Sequence, residues 1–176
     1  MILGIDIDDT LFDTRKYISI CWKEYHDKYG ITRYTDSIPS TINTGWDDPD
    51  ITRFWDLYRD ILCGIVEAKK DASISLLKLR SNGFGLKIVT ARPLYQRYNT
   101  LSSLKRNRII FDDIIMNAKL KGEACKINGV DLLIDDTQLN LDDAESFGVD
   151  TLLFKEHDTW NEVYKKILEI NKKRRF

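Results

Sequence analysis

Acidic residues crowd the end of the first apolar run. Asp6, Asp8 and Asp9 follow or interrupt Ile2-Leu3-Gly4-Ile5, and Thr10 comes directly after them. Two later runs end in the same way: Leu86-Lys87-Ile88-Val89 passes into Thr90-Ala91-Arg92-Pro93, and Val130-Asp131-Leu132-Leu133-Ile134 passes into Asp135-Asp136. Lys121 precedes the last pair. Two or three carboxylates gathered in a buried cleft cannot all stay charged unless a cation offsets them. Oxygen ligands with no His or Cys beside them suit a hard ion, and Mg²⁺ is the usual partner of phosphate. Such an ion would bridge enzyme and phosphate and orient the ester. Asp6 can then attack phosphorus to give an aspartyl phosphate. Asp8 can protonate the leaving oxygen and later activate water, provided the chain turns after Ile7. Thr90 offers a hydroxyl to a phosphate oxygen, and Lys121 offers positive charge to the phosphoryl group and the nucleophile. Phosphoryl transfer requires little beyond such positioning and electrostatics.

These groups need a scaffold that brings strand ends together. The apolar runs read as strands buried on both faces, and ligands of open parallel sheets sit beyond the carboxyl ends of the strands. Residues 2–7, 86–90, 113–116, 130–134 and 151–154 are the predicted strands. Helical patterns fall at 13–29 with Gly30 as stop, at 50–65 with Asp50 as cap and Gly64 as an interruption, and at 66–81. Others fall at 94–106, at 119–127, from Thr137 to Phe147, and after an Asp158 cap. The alternation specifies an α/β fold, a Rossmann-like parallel sheet with helices on both faces. Residues 14–65 break it, because they are all helix and loop. They read as a small helical cap inserted after the first strand, leaving 1–13 and 66–176 as the catalytic core.

Bulk composition excludes several classes. Hydrophobic residues make up 43% of the 176, enough for a core, so global disorder is excluded. The formal net charge of −1 argues against a protein held to nucleic acid by charge alone. The one basic cluster, Lys172-Lys173-Arg174-Arg175, reads as a solvated helix end. Cys21, Cys63 and Cys125 lack paired spacing and are expected to be free thiols. With no signal peptide and no spanning segment, the expected location is cytoplasmic. The expected partner is a small-molecule phosphomonoester, with no membrane; a homodimer is an assembly the sequence allows.

In order and spacing, the motifs resemble the haloacid dehalogenase superfamily of phosphatases: Asp6, Asp8 and Thr10 as DxDxT, Thr90 as the hydroxyl motif, Lys121 as the lysine, Asp135-Asp136 as the acidic pair. Val89-Thr90-Ala91-Arg92-Pro93, Ile134-Asp135-Asp136 and Asn140 further resemble the 5′(3′)-deoxyribonucleotidase-like branch, which carries an insertion between its first two motifs. Motif one departs from that branch, having Asp8-Asp9-Thr10 where Asp-Gly-Val is usual. The resemblance implies Mg²⁺ held by the Asp6 carboxylate, the Asp8 carbonyl and one Asp of the last pair. Asp136 is favoured as that ligand with Asp135 facing Lys121; the reverse stays open. It also implies dephosphorylation of nucleoside monophosphates, with a sugar phosphate or a nucleic-acid 3′-phosphate end as alternatives. A non-catalytic binding module is the remaining rival.

Blander roles stand beside these. Thr90 could be a turn hydroxyl, and Lys121 a surface lysine like Lys119 or Lys126. Arg92 either clamps a substrate phosphate or salt-bridges the cap. Asp9 and Asp13 read as structural or cap-orienting, and Asn140 as a support for the acidic loop. Thr10 and Trp46 are the further substrate-contact candidates; Trp22, Phe54, Trp55 and Tyr58, at helical spacing, read as packing. His26 and His157 read as bystanders.

Overall fold

The computed structural model describes residues 1–30 and 49–174. Five parallel strands form one sheet: β1 (Ile2–Ile5), β2 (Gly85–Val89), β3 (Asp113–Ile115), β4 (Leu132–Asp135) and β5 (Asp150–Leu153), in the order β3-β2-β1-β4-β5. Side chains alternate across a strand, and β1 shows what this does to packing. Leu3 and Ile5 enter a core with Ile88, Leu132 and Ile134. Helices α3 (Ala72–Ser81), α4 (Arg97–Arg106) and α7 (Trp160–Lys173) contribute Leu76, Leu79, Leu104, Trp160, Val163 and Ile167 to that face. Gly4 turns to the other face, where a Cβ would come within 2.8 Å of Val130 Cγ1. There α5 (Gly122–Ile127) and α6 (Gln138–Ser146) supply Cys125, Leu141 and Ala144 against Val89 and Leu133. The α/β fold with helices on both faces is thus as the sequence specifies.

Helices α1 (Thr14–Tyr29) and α2 (Pro49–Ile65) pack together around a separate apolar cluster that includes Trp22, Tyr25, Phe54 and Tyr58. Phe54 and Tyr58 stack at 5.1 Å, and Trp22 meets Phe54 edge-on at 4.9 Å, so these aromatics are packing residues. Where the chain leaves for this helical pair and where it returns, the two segments are laced together. Phe12 and Ala68 form an antiparallel bridge, Lys69 N donates to the Leu11 carbonyl, and Lys69 Nζ pairs with Asp13 Oδ1 at 2.9 Å.

Several local expectations are corrected. The predicted helix 66–81 begins only at Ala72, because 66–69 lie against 11–13 instead. Gly64 does not interrupt α2, and Pro49, whose missing N–H costs nothing in a first turn, opens that helix ahead of Asp50. α7 is capped by Thr159, whose hydroxyl accepts from Glu162 N while Glu162 Oε2 accepts from Thr159 N. Asp158 instead pairs with Lys166. Arg174 is not merely solvated: its guanidinium donates to Asp150 Oδ2 and to the Asp131 carbonyl. All three cysteines are free and buried. Among the described residues no helix is long and apolar enough to cross a membrane.

The α5–α6 contact fixes the residue after Lys121. Gly122 N donates to Asp143 Oδ2 at 2.5 Å, and a Cβ on Gly122 would collide with the Phe147 ring and come within 2.6 Å of the Asp143 carbonyl. Gly122→Ala is therefore expected to lower stability by about 1–3 kcal/mol, the usual cost of overpacking. Urea unfolding followed by circular dichroism measures it; an unchanged midpoint would mean that α6 yields freely.

Candidate active site

Every acidic or polar motif lies at or beyond the carboxyl end of a strand. β1 ends at Ile5, so Asp6 leads into the loop, with its N–H donating to the Ile134 carbonyl of β4. The chain then reverses: Asp9 takes φ 60°, and Leu11 N and Phe12 N both donate to the Ile7 carbonyl. This is the turn that Asp8 requires to share a cleft with Asp6. Asp9 Oδ1 accepts from Arg15 N at 2.8 Å and so anchors the start of α1.

Lys121 is 1% exposed, and its Nζ lies 2.5 Å from both Asp6 Oδ1 and Asp135 Oδ2. It is no surface lysine. Burial alone would lower its pKa, but the two carboxylates outweigh that and raise it. Asp135 is fully enclosed: Asn140 Nδ2 and Thr137 N donate to its carboxylate, so Asn140 does support the acidic loop. Asp136 is more open at 20% exposure, and Arg15 Nη2 stands 3.8 Å away. Carboxylate oxygens of Asp6, Asp135 and Asp136 all lie within 4.8 Å of one another. Three carboxylates thus face one buried ammonium. Burial, with Asp135 and Asp8 nearby, lifts Asp6 to about 7 against the pull of Lys121. Burial and the Asp135 and Asp9 charges lift Asp136 to about 6. An all-oxygen donor set short of positive charge fits a divalent hard cation.

Asp8 faces elsewhere. Arg92 grips it with two bonds, Nη2 to Oδ1 at 2.6 Å and Nε to Oδ2 at 3.0 Å, and Thr14 Oγ1 donates to Oδ1 at 2.7 Å. Burial would raise the Asp8 pKa, but Arg92 and these hydrogen bonds outweigh it and hold the carboxyl below its usual value. Arg92 Nη1 also reaches Cys63 Sγ of α2 at 3.8 Å. The sequence offered two partners for Arg92, a substrate phosphate or the inserted helices; its principal partner here is Asp8, a pairing the sequence gave no sign of. Thr90 is 1% exposed, and its hydroxyl accepts from Arg92 N at 3.2 Å. Thr10 is wholly buried; its carbonyl accepts from Trp160 Nε1 at 2.9 Å and so fixes the loop, while its hydroxyl has no hydrogen-bond partner among the described residues. Trp46 lies outside the described residues.

Two clefts of about 700 Å³ each flank the loop. One, on the Asp136 side, is highly charged, with Asp9, Arg15, Lys16 and Lys69 among its walls. The other runs from Asp8 and Arg92 between the helical pair and the loops after β2 and β3, with Ile18, Trp55 and Leu62 on one wall. The second is the better place for an organic group, because it is apolar along one side and begins at Asp8.

No protein-family model and no curated protein matches the chain. Solved structures do match in fold. A predicted phosphatase from Clostridium acetobutylicum superposes with a TM-score of 0.68 at 16% identity, covering 96% of this chain and 98% of its own. A haloacid dehalogenase-like hydrolase from Streptococcus pneumoniae gives 0.65 at 18%, with 89% and 87% covered. The fold is haloacid dehalogenase-like. A predicted phosphoglycolate phosphatase from Haemophilus somnus gives 0.65 at 14%, covering 97% of both chains. The parallel order of this chain's strands places all four motifs at the carboxyl end of the sheet.

Proposed function

We propose that the protein is a Mg²⁺-dependent phosphomonoester hydrolase working through a phospho-Asp6 intermediate. The convergence of Asp6, Lys121, Asp135 and Asp136 beside Asp8 carries this reading. Asp6, Asp136 and the Asp8 carbonyl would hold the ion, with Asp135 occupied by Lys121. When bound, Mg²⁺ supplies charge neutralisation and orientation of the phosphoryl group. Attack by an Asp6 oxygen on phosphorus breaks the ester P–O bond. The electron pair leaves on the ester oxygen, which takes a proton from Asp8; since Arg92 holds that carboxyl ionised in the free protein, substrate binding must first loosen the Arg92 grip and leave Asp8 protonated. Water then attacks the phospho-aspartate, giving a proton to Asp8 and releasing phosphate and the Asp6 carboxylate. Lys121 and Thr90 offset the phosphoryl charge. Helices α1 and α2 act as a cap over the Asp8 cleft. A nucleoside monophosphate is the leading substrate: the nucleotidase-like motifs favour it, and the Trp55 wall suits a ring better than a polyol.

Asp8→Asn is the direct test of the acid. It is expected to slow hydrolysis of alkyl phosphates by about 10²–10⁴-fold, the usual worth of general acid–base catalysis. With p-nitrophenyl phosphate, whose leaving oxygen needs no proton, the first chemical step should suffer far less; a pre-steady-state burst of nitrophenolate reads it. Equal losses on both substrates would refute Asp8 as the acid.

A further inference from the structure

The cleft that begins at Asp8 carries positive charge that the hydrolytic mechanism does not use. Among the described residues Asp8 is its one acidic lining residue, and Arg92 already neutralises it. Two further cations line the same space, Arg59 from α2 and Lys119 from the loop after β3. Arg59 is half-buried and has no carboxylate partner among the described residues; its guanidinium stands 5.5 Å from the Tyr95 ring centre, which holds it at the cleft. Lys119 sits on an anchored loop. Its N–H donates to the Asn117 carbonyl, Asn117 has φ 61°, and Asn117 N donates to the Arg92 carbonyl. Two residues on, Lys121 points into the Asp6 cluster, so one short loop serves both places.

We propose that Arg59 and Lys119 form a subsite for a second anionic group, a carboxylate or a further phosphate, on the leaving group of the substrate. The subsite rests on the hydrolase reading above and narrows it. A guanidinium partly withdrawn from water without a counter-ion gains most from an anion delivered by the ligand. The apolar wall of Ile18, Trp55 and Leu62 lies along the same cleft and suits the body of the leaving group. For a nucleotide, the second anion would be another phosphate, as in a nucleoside 3′,5′-bisphosphate.

The test has a turnover arm and a binding arm. Phosphorylated alkanols of equal length, ending in a methyl group, a carboxylate or a second phosphate, are compared with wild-type protein, Arg59→Met and Lys119→Met. Adenosine 5′-monophosphate and the 3′,5′-bisphosphate form a second pair. In wild type, kcat/KM is expected to favour the anion-bearing member by roughly tenfold or more, the scale of one charge-assisted contact. Arg59→Met should collapse that ratio through KM, and Arg59→Lys should restore part of it. The carboxylate and phosphate arms show which anion is preferred. In the binding arm, calorimetry with Asp6→Asn and Mg²⁺ compares 3-phosphonopropionate with propylphosphonate. A binding preference for the former that Arg59→Met removes supports the subsite even if turnover is absent. Equal kcat/KM and equal binding within each pair, or equal losses for both members in the variants, overturn it. Failure of the hydrolase reading would look different: no Mg²⁺-dependent turnover of any monoester by wild type.

Discussion

Asp6→Asn is expected to abolish phosphomonoester hydrolysis, lowering kcat on the order of 10³-fold or more, because loss of a nucleophile removes the covalent route altogether. The substitution is nearly isosteric, and the local structure should survive it. Asp6 N still donates to the Ile134 carbonyl, and Lys121 keeps Asp135 as a carboxylate partner. The fold is therefore not the variable. Steady-state assay of p-nitrophenyl phosphate with Mg²⁺, beside circular dichroism of the same samples, measures both. Activity within a few-fold of wild type would sink the aspartyl-phosphate mechanism. Acid-quenched wild type should in addition carry phosphate on Asp6, which the Asn variant cannot.

Lys121→Met should have the largest effect on stability. The lysine is 1% exposed and is the ammonium that sits between Asp6 and Asp135. Breaking a buried pair by removing one member typically costs about 3–5 kcal/mol, since the other charge stays buried without compensation. For a chain of this size that amounts to a melting temperature lower by roughly 6–20 °C. The loss should be greatest in chelator. A divalent ion can replace part of the missing charge, so Mg²⁺ is expected to stabilise the variant by more degrees than it stabilises wild type. Thermal melts with and without Mg²⁺ decide. If Mg²⁺ shifts both proteins equally, the ion does not share the electrostatic environment of Lys121, and the assignment of the metal to this cluster fails.

The sequence made the strand exits legible because burial on both faces leaves a plain signature: short apolar runs that end abruptly in acidic or polar residues. Asp6, Thr90 and Asp135 were placed by that signature, and Lys121 by its fixed distance from the acidic pair. The Arg92–Asp8 clamp was not legible. It joins two loops that meet only once β1 and β2 lie side by side, and neither loop has a periodicity that points at the other. The bond from Trp160 to the Thr10 carbonyl was hidden for a related reason: Trp160 belongs to the last helix, and nothing near Thr10 announces it. The return segment 66–69 looked helical because its apolar residues continue the α2 pattern; its pairing with 11–13 is a tertiary contact that overrides the local preference. Asp158 and Thr159 are adjacent residues of nearly equal capping ability, and the Glu162 partner of a capping box selects Thr159.

The strand order also governs when the protein can become active. β1 lies in the middle of the sheet, pairing Ile2 with Gly85 on one side and Leu3 with Leu132 on the other. The strand made first is thus the one whose neighbours are made late. On the ribosome Asp6 emerges before every other strand, yet the carbonyl that seats its N–H and the second carboxylate of Lys121 come only with β4. Such long-range pairings fold slowly, since loop closure precedes any gain from contact. Activity should therefore appear in one step, after β4 is made, with no partly active intermediate. A nascent chain halted before residue 130 would hold β1 paired to β2 on one side and open, with its apolar residues, on the β4 side, the form of this protein most in need of a chaperone.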